Sequence, residues 1–262
     1  MAALLAAGLA GVLVLATLVG TPLLAAGVAV VVVVLTLGAV RPAEVPGSGR
    51  AAGLALVVGV AGLVALAVDD NADAGSLAAV LGPSLVAAIA LQIARRDGRP
   101  RLTASLTLAM TACVLALLPA MWVALRESVD GRASVLVGLT GVAVATLVEG
   151  LPGSRAMVRT FAVLAAGAAG ALLSFAVMTV RDAAPPLNAV VLATFAAVAT
   201  AAANAAVDRI AAEARALVPR DAPPTPYVEP GAFLAAVLPL RVSLPFVVAA
   251  PVTYVLGRIL VG

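Results

Sequence analysis

The only dense group of carboxylates in the chain is Asp69-Asp70-Asn71-Ala72-Asp73. Its Asp-Asp-x-x-Asp spacing gathers several hard oxygen donors on a short stretch. Such a donor set suits Mg²⁺ and, through it, a diphosphate. Asp69, Asp70 and Asp73 are therefore the candidate metal ligands, beside a plainer reading. In that reading the loop ends one helix and starts the next, with Ser76 as N-cap for Leu77 onward. Other chemistry-bearing residue types are sparse. There is no His, all 16 basic residues are Arg, and Cys113 is the single cysteine. Imidazole catalysis, haem ligation by His, Lys Schiff bases, Lys-dependent phosphate loops and cysteine metal clusters are excluded by composition. No catalytic residue is assigned and no cofactor is expected.

Two further groups could bind or pass a ligand. Arg95-Arg96-Asp97-Gly98-Arg99-Pro100-Arg101 is the strongest basic cluster. Arg95, Arg96, Arg99 and Arg101 can hold an anionic lipid head group at about 1 kcal/mol per Arg near the surface. The same cluster serves as a topology determinant, with Gly98 and Pro100 making the turn. The net charge of +3 is otherwise spread over short loops, so no nucleic-acid partner is expected. Polar groups within apolar stretches would mark a transport path. Gln92, Asn188 and Asn204 fall near helix ends, and no Asp or Glu falls at mid-span. Pro83 and Ser84, after Gly82, are expected to break or kink their helix. With Arg241 they are the candidate path residues.

The elements that must position these groups follow from composition. Of 262 residues 63% are apolar and 11% charged, against about 45–50% and about 25% in soluble domains. The chain reads as an all-α, polytopic membrane bundle forming a single integral membrane domain. A span needs about 20 apolar residues, with about 17 still workable. Charges, Gly and Pro then divide the chain into nine spans: 2–19, 23–40, 51–68, 77–94, 102–125, 133–148, 157–180, 187–207 and 242–261. Residues 208–230 are expected to extend the eighth span helically and then form a Pro-rich cytoplasmic linker. Residues 231–240 are expected to form an interfacial helix. Arg241, after Pro239-Leu240, marks its boundary with the ninth span. A cytoplasmic N-terminus and an external C-terminus place twelve of the 16 Arg residues inside. The first Arg is Arg41, so the first span lacks the basic region of a cleavable signal peptide. The Arg-rich, Lys-free vocabulary suits the plasma membrane of a GC-rich bacterium.

Four spans carry glycines three residues apart: Gly8/Gly11, Gly59/Gly62, Gly138/Gly141 and Gly167/Gly170. Such pairs notch one helix face so that another backbone can approach. The strings around Gly8 and Gly59 are alike, but the pairs are unevenly spaced, which favours helix packing over an internal repeat.

The acidic pentapeptide and the nine spans together resemble membrane prenyltransferases of the UbiA type. That resemblance implies Mg²⁺-dependent transfer from a lipid diphosphate held through Asp69, Asp70 and Asp73. The second acidic motif of such enzymes is not supplied by Glu127/Asp130, Asp182 or Asp208/Glu213. Taken together, the residues point to a non-enzymatic scaffold or accessory subunit of a cell-envelope or transport assembly. A small-solute or lipid transporter is the alternative, and the lipid-diphosphate transferase comes third. The expected partners are the lipid bilayer, an anionic lipid, and a membrane protein or a second copy of the chain.

Overall fold

The computed structural model describes residues 1–40, 48–69, 73–94, 102–129, 131–177, 185–216 and 230–260. The described residues form ten α-helices and one 3₁₀ turn, with no strand among them. The helices are α1 (Ala2–Val19), α2 (Thr21–Val40), α3 (Ser48–Val68), α4 (Ala74–Ile93) and α5 (Leu102–Leu117). After the 3₁₀ turn Leu118–Ala120 come α6 (Met121–Glu127), α7 (Gly131–Glu149), α8 (Arg155–Val177), α9 (Pro186–Ala216) and α10 (Pro230–Leu260). Taking α5 through α6 as one stretch, nine of these are long and apolar enough to cross a membrane. Arg95, Arg96, Arg99, Arg101, Asp70 and most of the Pro-rich linker lie outside the described residues.

Helix is dictated here by solvent more than by propensity. Val30 to Val34 form a run of β-branched residues, which lose rotamer freedom in a helix in water. They are nevertheless helical within α2, because in lipid every backbone N–H and C=O must find its partner inside the segment. The same rule explains two differences from the sequence expectations. Pro83 neither breaks α4 nor ends it; Ser84 sits one residue on, its Oγ donating to Leu81 O at 2.7 Å. Nor is α10 divided at Arg241, since one helix runs from Pro230 through Pro239, Pro245 and Pro251 to Leu260. Ser243 Oγ donates back to Pro239 O at 2.8 Å, and Arg241 finds an anion on α9. Both devices remove the reason for a break. Conversely, the stretch 102–125, expected as one span, changes helix type partway along. Pro119 stands in the 3₁₀ turn that joins α5 to α6.

The packing has a centre and a periphery. In α7, 67% of the apolar stretch is buried, against 22% in α4 and α8. Around α7 stand α1, α8, α9 and α10; α2 joins α10, and α3 carries α4 and α5 outward. Between the two ends of the bundle the core is filled with Leu13, Leu24, Val28, Leu35, Leu139 and similar side chains. Trp122 and Phe246 are its largest members, and Trp122 Nε1 donates to Phe246 O at 3.0 Å, tying α6 to α10.

Three of the four glycine pairs are packing notches. A Cβ on Gly59 would meet Val32 Cγ1 at 2.5 Å, and one on Gly62 would meet Leu117 Cδ2 at 2.5 Å. A Cβ on Gly141 would meet Ala193 O at 2.7 Å, and one on Gly170 would meet Ala189 O at 2.7 Å. Gly8 and Gly11 differ, for a Cβ there would meet nothing within 4 Å. That notch on α1 is open.

Candidate functional site

Polar side chains gather at the two ends of the bundle. At the end where α1 finishes, Arg126 caps the helix: its Nε and Nη2 donate to Thr17 O at 3.2 and 3.1 Å. Arg132 Nη2 donates to Leu18 O at 3.3 Å. Guanidinium groups are favourable there because the last carbonyls of α1 lack partners and carry the negative end of its dipole. Arg126 also donates to Thr21 Oγ1, which in turn donates to Glu127.

The acidic loop belongs to the same end, since Ala74 N donates to Tyr254 O–H. Asp73, and not Ser76, is the N-cap of α4. Its Oδ1 accepts from Gly75 N at 2.7 Å and Ser76 N at 3.2 Å. Ser76 Oγ donates to Asp69 Oδ2 at 2.6 Å. Asp73 thus satisfies the helix start, and Asp69 is bonded to a side chain of its first turn. Among the described residues, no three acidic, His or Cys side chains stand together as metal ligands do.

At the other end lies a cleft of about 870 Å³, walled by the start of α1, the α7–α8 turn, and faces of α9 and α10. Glu149, Arg155, Asn204, Asp208 and Arg241 all line it. Their convergence has local causes. Asn204 and Asp208 are four residues apart and so share one face of α9. Arg155 and Arg159 do the same in the first two turns of α8. The turn between α7 and α8 is short, and Gly153 takes φ +152°, a backbone that L side chains rarely adopt. It returns the chain at once, which sets Glu149, the last residue of α7, beside the start of α8.

The bonding within this group is unequal. Asp208 is fully engaged: Oδ2 accepts from Arg159 Nη2 at 3.3 Å, and Oδ1 accepts from Arg241 Nη2. Glu149 is only half engaged. Its side chain is 10% exposed, and Oε2 accepts from Asn204 Nδ2 at 2.5 Å. Its Oε1 is buried with no hydrogen-bond partner, and Arg159 Nε lies 4.0 Å away. Arg155 makes no hydrogen bond or ion pair with any described residue.

Of the candidate path residues, Arg241 is in this cleft and Pro83 and Ser84 are not. Those two lie on α4, which packs on α3 and α5, whereas α10 packs on α2, α7 and α9. In the sequence Asn204 reads as a polar residue near a helix end, and nothing local joins it to Glu149. The available signal was the i,i+4 pair Asn204/Asp208 on an otherwise Ala-rich face. Comparison of the chain with protein-family models, curated proteins and solved structures gives no match.

Proposed function

We propose that the protein is a non-enzymatic scaffold or accessory subunit of a cell-envelope or transport assembly in the plasma membrane. The observation that carries this reading is how the polar side chains are used. Arg126 and Arg132 hold the end of α1, Asn188 Nδ2 donates to Leu260 O at 2.7 Å, and Asp208 joins α8 to α10 through two Arg residues. Polar groups placed as ties between helices, over an apolar core, favour a fixed bundle that presents surfaces. An accessory subunit needs a face for its partner, and α1 offers one. Leu4, Gly8, Gly11 and Leu15 fall on one exposed stripe at spacings of four, three and four. The other three glycine pairs each receive a neighbouring helix.

Affinity purification in mild detergent tests the reading. A membrane protein is expected to co-purify in fixed ratio and to be lost from the Gly8→Leu/Gly11→Leu variant, whose own melting temperature stays unchanged. Retention of the same partner by that variant, or no partner in fixed ratio, would overturn it. The cleft at Glu149 favours a second reading, a small-solute or lipid transporter. Flux through proteoliposomes of the purified chain, lost on Arg241→Gln, would put that reading first.

A further inference from the structure

We infer that the cleft at the α7–α8 turn binds a zwitterion carrying a primary ammonium beside a phosphate. Two opposite valences are unfilled among the residues that line this cavity. Glu149 lines the cleft with a side chain nine-tenths buried, and its Oε1 is a buried acceptor without a hydrogen-bond donor. A buried acceptor left unmatched is unfavourable, and a carboxylate oxygen is best met by a charged N–H donor. Arg159 does not fill this role. Its Nε stands 4.0 Å from Oε1 while its Nη2 is held by Asp208. On the same cleft Arg155 has no hydrogen bond or ion pair with a described residue, and Arg241 uses one nitrogen of its fork on Asp208. Two guanidinium groups with donors to give are what a phosphate takes.

The cavity also has the right scale. About 870 Å³ falls within the roughly 300–1,000 Å³ of small-molecule sites. It lies at one end of the bundle, beside the ends of the apolar stretches, which is where a lipid head group would stand. The shared chemistry is that of ethanolamine phosphate, either free or as the head of an aminophospholipid. An N–H donor is the discriminating feature. A trimethylammonium group carries equal charge but cannot donate to Oε1.

The test uses the full-length chain in nanodiscs of defined composition, with retained lipid measured by native mass spectrometry. Phosphatidylethanolamine is expected to be retained about tenfold over phosphatidylcholine, the difference one charge-assisted hydrogen bond makes. Glu149→Gln is expected to abolish that preference while Asn204 keeps an oxygen to bind. Arg155→Ala, at an exposed position, is expected to weaken retention of both lipids without unfolding the chain. Competition by soluble ethanolamine phosphate, followed by calorimetry, identifies the free zwitterion as a ligand. Retention of the lipid without such competition identifies the head group. Equal retention of phosphatidylethanolamine, phosphatidylcholine and phosphatidylglycerol would overturn the inference, as would a preference that survives Glu149→Gln. None of these readouts depends on a protein partner.

Discussion

Glu149 is the last residue of α7 and Arg155 the first of α8. Each charge stands where its own helix disfavours it, a carboxylate at the negative end of one dipole and a cation at the positive end of the next. Such placements cost about 0.3–1 kcal/mol each, so the surroundings must offset them. Asn204 does so for one oxygen of Glu149, and Asp208 gathers Arg159 and Arg241. Among the described residues, removing the Asp208 charge leaves Arg241 without an anion and Arg159 with only Glu149 Oε1, at 4.0 Å. Asp208 is 27% exposed and Arg241 36%, so water screens part of the attraction. Asp208→Asn is therefore expected to lower stability by about 1–2 kcal/mol, between the values for exposed and for buried pairs. Arg241→Gln should lose a similar amount. The double variant should lose less than the sum by about 1 kcal/mol, because the two changes remove one shared interaction. Unfolding by titration with SDS, followed through Trp122 fluorescence, measures this cycle. Strict additivity would show that the pair does not stabilise the fold.

For the elements, small residues decide which helices meet. A Cβ at Gly141 would sit 2.7 Å from Ala193 O and 3.0 Å from Ala193 Cα, both backbone atoms of α9. Neither can swing aside as a side-chain end can. Gly141→Ala is expected to force α7 from α9 and to lose about 1–3 kcal/mol, the range for overpacking. Gly11→Ala, by contrast, should change stability by less than about 0.5 kcal/mol, since nothing stands within 4 Å. Melting curves of the two variants in one detergent separate these outcomes, and equal losses would contradict the packing. The spacing of these glycines was legible in the sequence; their occupancy was not. Gly8/Gly11 and Gly138/Gly141 look alike along the chain, and only the placement of the neighbours makes one notch open and the other filled. The continuity of α10 was hidden in the same way. Pro239-Leu240-Arg241 reads as a boundary until Asp208, on another helix, supplies the counter-charge. The number of stretches long and apolar enough to cross a membrane was legible because apolar length is a local property. The cleft was not, because Glu149, Arg155, Asn204, Asp208 and Arg241 come from four helices and each resembles an ordinary span end.

On the scale of the molecule, the polar ties sort by end, and that sorting carries an orientation. Arg126, Arg132 and the acid-capped start of α4 share the end where α1 finishes, and the cleft lies at the other. Nine described helices are long and apolar enough to cross a membrane, and nine crossings would put the two chain ends on opposite sides of the bilayer. The division of loops read from the sequence assigns twelve of the 16 Arg residues to the side of the N-terminus, where Met1 lines the cleft, and cytoplasmic segments carry the excess of Arg. The cleft is therefore expected to open to the cytoplasm. Val129 is 77% exposed at one end and Leu151 60% exposed at the other, so both accept a label without disturbing the core. Cysteine placed at each, in a Cys113→Ala background, should divide the two sides. The Val129→Cys variant is expected to react with an impermeant maleimide on intact cells. The Leu151→Cys variant should react only after the membrane is opened. The reverse pattern would invert the bundle and turn Glu149 and Arg155 toward the outer leaflet. A ligand would then have to be drawn from the external medium or the outer leaflet, and the zwitterion site would answer to extracellular supply.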